Sequence, residues 1–288
     1  MQTSSFPFTT VGIAGLGLIG ATLAKAVRIN IGCTVFADDI DDSVLYRAED
    51  DGLISGRLVN ERISECDLFL LALYPEDAVS WLRQHAPAIR KGAVVVDCCG
   101  VKRYVMEPMN ALAAQYGFVY AGGHPMTGRE FSGYAASDAH LCDGAYMILA
   151  DPPEACIEPL EAFFKALGFK GLQLTTAEEH DRIIAYTSQL AHLLASAYIL
   201  SPTSTEHLGF SAGGFRSMTR VAYLNEKMWT ELFLENADYL ADEIGGLRER
   251  LAAFEKSIRD KDADALRALL KEGRERKETL EGWNRDDT

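Results

Sequence analysis

A chain of 288 residues, 48% hydrophobic and 24% charged, has globular composition and enough length for two domains. No apolar run approaches the ~20 residues of a membrane span, and Met1-Gln2-Thr3-Ser4-Ser5 lacks the basic-then-apolar pattern of a secretory signal. A cytoplasmic protein is therefore expected, and a formal net charge of −14 speaks against a nucleic-acid or anionic-membrane partner.

Residues 1–8 read as a loose tail. From Thr9 an apolar run leads into Gly15-Leu16-Gly17-Leu18-Ile19-Gly20 and then a helix-like Ala21–Val27. A lone GxGxxG means little, but strand, glycine turn and helix in that order form a dinucleotide site. The first glycine makes the tight turn, the second admits the pyrophosphate, and the third lets helix and strand pack closely. The next strand-like run, Cys33–Ala37, ends in Asp38-Asp39-Ile40-Asp41-Asp42. Asp39 lies 19 positions after Gly20, close to the ~20 expected of the carboxylate that binds the ribose hydroxyls. A 2′-phosphate among these acids would be repelled, and no lysine or arginine follows at once to offset it, so NAD is expected over NADP.

Strand-like and helix-like segments keep alternating. Asp67–Leu73 and Ala93–Asp97 are apolar runs of the buried parallel type. Pro75 opens a helix to about Ala86, and another reaches about Tyr116. Strands follow at Phe118–Tyr120, Ala145–Ala150 and Gly171–Thr175, with a helix from about Glu154 before the last. The repeat predicts an α/β fold with a largely parallel, doubly wound sheet. At Thr176 the character changes. Thr176-Ala177-Glu178-Glu179 is a capping box, a long amphipathic pattern runs to about Leu200, and only helices and glycine loops follow. Two domains are expected, 1–175 for the cofactor and 176–288 helical, joined by the long helix.

Candidate chemistry centres on Gly122-Gly123-His124-Pro125-Met126-Thr127-Gly128-Arg129-Glu130, read as a glycine-hinged loop directly after a strand. Imidazole titrates near neutrality, and strand-end loops are where α/β enzymes place such groups. Ser188 and His192 share one helix face, although a histidine within a helix is more often a packed or surface residue. Arg216 and Arg220 follow a glycine-rich loop and suit carboxylate recognition, an equal reading being a solvated helix start. Glu179-His180-Asp181 reads as a structural hydrogen-bonding cluster. The six cysteines show no CxxC spacing and read as free thiols, with no metal site.

Taken together, Gly15–Gly20, Gly122–Glu130, Glu178-Glu179-His180-Asp181, Ser188–His192, Gly213–Arg220 and Trp229 through Asn236 resemble the prephenate/arogenate dehydrogenase family over about residues 10–280. The resemblance implies a Rossmann-like N-terminal domain, an all-helical C-terminal domain that dimerises, and NAD-dependent oxidative decarboxylation of prephenate in tyrosine biosynthesis. Arogenate is the alternative substrate, and either would be a small anionic partner. His124 matches the histidine that hydrogen-bonds the substrate's ring hydroxyl, and His192 a second active-site histidine. Arg220 matches the arginine that grips a substrate carboxylate, and Glu130 a residue near the entrance able to pair with it. Thr127 and Ser188 are assigned to the substrate side. Gly15, Leu16, Gly17, Leu18, Ile19, Gly20, Asp39, Leu73 and Gly100 are assigned to the cofactor side.

Two positions depart from the family's pattern. Gly100 stands where a serine usually assists the catalytic histidine, so either water or Thr127 is expected to replace that hydroxyl, or the substrate sits differently. Ala191 replaces a proline and should alter only a kink. A β-hydroxyacid dehydrogenase of similar architecture would use a lysine on the interdomain helix, but none occurs between Lys170 and Lys227. A non-catalytic NAD-sensing protein would have no need of His124, His192 and Arg220 together.

Overall fold

The computed structural model describes residues 8–286, with side chains described through residue 280. Residues 1–7 of the expected loose tail lie outside the described residues. Phe8 does not belong to a tail: it is buried, with its ring edge-on to Phe163 at 5.6 Å.

The sheet has eight strands in the order β3-β2-β1-β4-β5-β6-β7-β8. They are β1 (Thr10–Ala14), β2 (Thr34–Asp38), β3 (Gly56–Arg57), β4 (Leu68–Leu71), β5 (Val94–Asp97), β6 (Val119–Pro125), β7 (Tyr146–Ala150) and β8 (Gly171–Thr175). The first six run parallel, β7 is antiparallel to β6, and β8 is parallel to β7. The connecting helices are α1 (Leu18–Ala26), α2 (Asp42–Asp50), α3 (Asn60–Ile63), α4 (Pro75–His85), α5 (Arg103–Tyr116) and α6 (Glu154–Ala166). Alternation along the central strands feeds two cores. Val11, Ile13, Leu68, Leu70 and Val96 face one, and Phe69, Leu71 and Val95 face the other. Burial on both faces is why these strands read as continuous apolar runs. The short β3 and α3 carry too few residues for a periodic signal and were not foreseen.

Strand order reverses at β1, whose neighbours are β2 and β4, so the crevice beyond their carboxyl ends is the position for a dinucleotide. Gly15 turns the chain there with φ +85°, and a side chain on it would strike Leu73 at 2.9 Å. A Cβ on Gly20 would run into the carbonyl of Gly15, which is the close packing the third glycine permits.

One element differs from the sequence reading in a way that matters. His124 is not in a glycine-hinged loop: β6 continues through Pro125, and His124 pairs with Ile148 of β7. Its flanking Gly123 is required by crowding rather than by bending. A Cβ there would meet the Asp97 carbonyl, and Met147 Cε and Val96 Cγ1 at 2.6 Å.

Beyond Thr175 the chain is helical. Helix α7 (Ala177–Ile184) runs through a π turn, Ala185–Gln189, into α8 (Leu190–Ile199). Thr176 caps it by accepting from the Glu179 amide at 3.1 Å, while the Glu179 carboxylate takes the Thr175 hydroxyl instead of completing the box. After α9 (Gly213–Thr219) and α10 (Glu226–Glu235) come α11 (Ala237–Arg259) and α12 (Ala263–Asp286). Two compact units divide the chain, Met1–Ala237 and Asp238–Thr288, so α7 to α10 share a unit with the sheet. Among the described residues no helix is long and apolar enough to cross a membrane.

Gly123→Ala should lower unfolding free energy by about 1–3 kcal/mol, as overpacking does. Gly17→Ala, whose added carbon meets nothing within 4 Å, should move it by less than about 0.5 kcal/mol. Urea denaturation of the two variants checks both.

Candidate active site

At the crevice the glycine loop leads into the N-terminus of α1, where no side chain caps the first amides. Such free N–H groups, with the helix dipole behind them, suit a pyrophosphate. Asp39 closes the loop, accepting from the Leu16 amide at 2.6 Å and the Asp41 amide at 2.9 Å. Asp38 is not a solvated turn residue, because its carboxylate accepts from the Trp81 indole N–H at 2.8 Å. Leu18, Ile19 and Leu73 are partly buried around the loop, and Leu73 packs on the core under β4. An open Gly17, uncapped amides and a fixed carboxylate together fit a dinucleotide.

The end of β5 and the turn after it carry two charges, Asp97 and Lys102, with no exposed side-chain surface. Lys102 Nζ donates to Asp97 and to the carbonyl of Gly123. Asp97 also accepts from the Tyr120 hydroxyl at 2.8 Å and from the amides of Gly123 and Cys99, each at 3.0 Å. Burial, then the Asp97 charge, pushes the Tyr120 phenol well above its ordinary range. Cys98 and Cys99 are likewise pushed up by burial and then Asp97, so both are neutral thiols rather than nucleophiles.

The ring of His124 is partly exposed, and its Nδ1 lies 2.9 Å from Nε2 of His180. The Nδ1 of His180 in turn lies 2.7 Å from Asp181 Oδ1. Burial holds His124 well below the usual imidazole range. His180 is also lowered by burial, against the pull of Asp181. Burial alone would raise the Asp181 carboxyl, but His180 and the amides of Arg103 and Lys102 outweigh it and keep it low.

Thr127 does not stand in for the missing serine. Thr127 Oγ1 is spent on the Leu141 carbonyl at 2.6 Å, and the partner of His124 is His180. A side chain at Gly100 would meet Leu232 of α10 at 3.2 Å, so leucine packing covers the place where a hydroxyl would sit. The cluster at Glu179-His180-Asp181 is therefore more than local structure. The available signal was an Asp beside a His just inside a well-capped helix, facing a sheet end rich in donors.

The helical side holds the other candidates. His192 Nδ1 donates to the Val221 carbonyl at 3.0 Å and its ring lies 4.1 Å from that of Trp229. Burial, aided by the Arg220 charge, leaves His192 below its ordinary range against the opposing pull of the Val221 carbonyl. Ser188 sits half-buried just ahead of α8, within the π turn. Arg220 pairs with Glu130, whose carboxyl is lowered by that contact. A cavity of about 830 Å³ holds this pair together with Phe131, Phe215, Arg216 and Tyr223. His124 and the glycine loop do not line it. Among the described residues no direct contact joins His124 to His192 or Arg220.

Family models described as "Prephenate dehydrogenase, nucleotide-binding domain" and "Prephenate dehydrogenase, dimerization domain" match residues 23–170 and 176–272. The chain belongs to the prephenate dehydrogenase family. It is accordingly a dehydrogenase with a nucleotide-binding sheet domain followed by helices. Prephenate dehydrogenase of Lactococcus lactis is 28% identical over 93% of this chain and 77% of its own. Cyclohexadienyl dehydrogenase of Zymomonas mobilis is 28% identical over 92% and 94%. The crystal structure of prephenate dehydrogenase from A. aeolicus in complex with hydroxyphenyl propionate and NAD+ shares the fold, with a TM-score of 0.83 at 24% identity over 96% of this chain and all of that one.

Removing one member of the buried pair leaves the other charge uncompensated. Lys102→Met should therefore cost about 3–5 kcal/mol of unfolding free energy, read by chemical denaturation.

Proposed function

We propose that the protein is an NAD-dependent prephenate dehydrogenase, converting prephenate to 4-hydroxyphenylpyruvate and carbon dioxide in tyrosine biosynthesis. What carries this reading is a neutral, anchored His124 beyond the sheet's nucleotide crevice in a chain of this family. NAD, when bound, supplies the hydride acceptor. Gly15, Leu16, Gly17, Leu18, Ile19 and Gly20 would hold its phosphates and Asp39 its ribose, with Leu73 and Gly100 toward the nicotinamide. Asp39 beside Asp38, Asp41 and Asp42 favours NAD over NADP.

His124 accepts the proton of the ring hydroxyl as that carbon is oxidised. Loss of the ring carboxylate as carbon dioxide then makes the ring aromatic, and the phenol oxygen recovers a proton. Aromatisation drives the second half, which leaves orientation and proton handling to the protein. Arg220 would hold a substrate carboxylate in exchange for Glu130, with His192, Thr127 and Ser188 on the substrate side. The functional division falls between residues 175 and 176, and the match to a dimerization domain supports a homodimer. A cytoplasmic location accords with the absence, among the described residues, of a membrane-crossing helix. Arogenate is the second reading, favoured by the similarity to a cyclohexadienyl dehydrogenase.

Absorbance at 340 nm should rise with prephenate and NAD⁺, and less with arogenate or NADP⁺; silence with both substrates and both cofactors would sink the assignment. His124→Asn should cut kcat by roughly 10²–10⁴-fold with NAD affinity kept. Because burial lowers His124 from 6.5, the base form persists on acidification and the acid limb of kcat/KM should lie below pH 6.5. Arg220→Ala should raise the prephenate KM by roughly 10- to 100-fold; an unchanged KM removes Arg220 from the site.

A further inference from the structure

We propose that His180 and Asp181 position His124, fixing Nδ1 as its protonated ring nitrogen and leaving Nε2 as the atom that accepts the substrate's proton. This rests on the dehydrogenase reading for the reaction itself, but the hydrogen-bond order stands on geometry alone.

The order can be read from Asp181 outward. Its oxygens accept from the amides of Lys102 and Arg103 at 2.8 and 2.9 Å, and from Arg103 Nε at 3.3 Å. A buried carboxylate facing this many donors is ionised and can only accept. The nitrogen 2.7 Å away, Nδ1 of His180, must therefore carry a proton. His180 has no exposed side-chain surface, which favours the neutral ring, so its Nε2 presents a lone pair. That lone pair faces His124 Nδ1 at 2.9 Å, and only a donor satisfies it. With Nδ1 protonated, a neutral His124 has its free lone pair on Nε2.

The surroundings offer Nδ1 no competing partner. Thr127 is bound to Leu141, and position 100 has no side chain, with Leu232 packed against it. The ring planes of the two histidines are tilted by 59°, so they meet through nitrogen atoms and not by stacking. The charged groups around the pair are Asp97 at the end of β5, Lys102 in the turn after it, Arg103 at the start of α5, and Asp181 on α7. Lys102 is directed at Asp97 and Gly123, and Arg103 at Asp181 and Asn236.

Two consequences follow for the reaction. His124 cannot spin between tautomers, so its base nitrogen is available at every encounter. Once Nε2 has taken the hydroxyl proton, the Nδ1 proton is shared with His180, which spreads the positive charge toward Asp181. An outer partner that orients a reactive imidazole in this way is commonly worth 10- to 100-fold in activity.

The test combines the intact protein with two variants. In ¹⁵N-histidine-labelled wild type, long-range nitrogen–proton spectra should show His124 protonated at Nδ1 and bare at Nε2; the opposite tautomer overturns the proposal. His180→Leu should lower kcat roughly 30-fold or more, move the acid limb to lower pH, leave the NAD affinity near wild type, and lower the melting temperature because buried Asp181 loses a donor. His180→Gln, whose amide oxygen can accept from Nδ1–H, should recover kcat to within about fivefold of wild type. A leucine variant within twofold of wild-type kcat with an unmoved acid limb overturns the proposal, as does a glutamine variant no better than leucine. If the leucine variant does not fold, the wild-type tautomer decides. A wild type inactive on prephenate would refute the reaction assigned above, while the tautomer would still decide the role of His180 and Asp181.

Discussion

Everything at the reacting end of the sheet depends on Asp97 and Lys102, two opposite charges with no exposed side-chain surface. Such a pair repays its desolvation only when the remaining donors and acceptors are also satisfied. Here they are. Asp97, last residue of β5, takes Tyr120 and Gly123 from β6, and Lys102 returns a bond to Gly123. The ends of β5 and β6 are thereby fixed in register, and His124 is the next residue along. The amide of Lys102 is bonded to Asp181, so the same turn also docks α7. A single ionic knot therefore helps set the positions of His124, His180 and Asp181.

Gly100 shows how one lost hydroxyl is absorbed by this arrangement. The family resemblance places a serine there, at the flank of His124. In this chain Leu232 packs against the bare glycine, and the main chain of Leu232 is held by Gln189 at 2.9 Å. Gln189 is bonded to Asn236, which also caps the Asp181 carbonyl at 2.8 Å. Apolar packing thus covers Gly100, while a polar network secures His180 and Asp181. The partner that His124 does have, His180, is buried and supported by Asp181.

Much of this was legible in the sequence, because the signals were local. Gly15–Gly20 with Asp39 located the crevice, and continuous apolar runs at Leu68–Leu71 and Val94–Asp97 marked strands buried on both faces. His124, Glu130 and Arg220 were singled out, and the structure pairs the last two. What stayed hidden depends on long-range pairing. Gly122-Gly123-His124-Pro125 looks like a loop, since glycine and proline disfavour strands, and only the neighbouring β7 makes it one. His180 lies 56 residues from His124, and nothing in either segment announces the other. The π turn at Ala185–Gln189 shifts the register of the long helix, which a regular 3.6-residue spacing from Asp181 to His192 does not anticipate.

The two functional contacts differ in how firmly they are held, and the difference suits their tasks. His124 stands on a paired strand, with its partner buried and that partner's carboxylate fixed by backbone amides. Moving any of these would strand a buried polar group, at a cost of about 1–3 kcal/mol or more. Arg220 and Glu130 instead meet at the cavity with side-chain exposures of 65% and 30%. An ion pair so wetted is worth only about 0–1 kcal/mol, so an incoming carboxylate can replace Glu130 with little penalty. Glu130 follows His124 by six residues, so in the proposed reaction a single segment would carry both the fixed proton acceptor and the exchangeable anion. Proton transfer needs a geometry that does not yield, whereas substrate entry needs a contact that does.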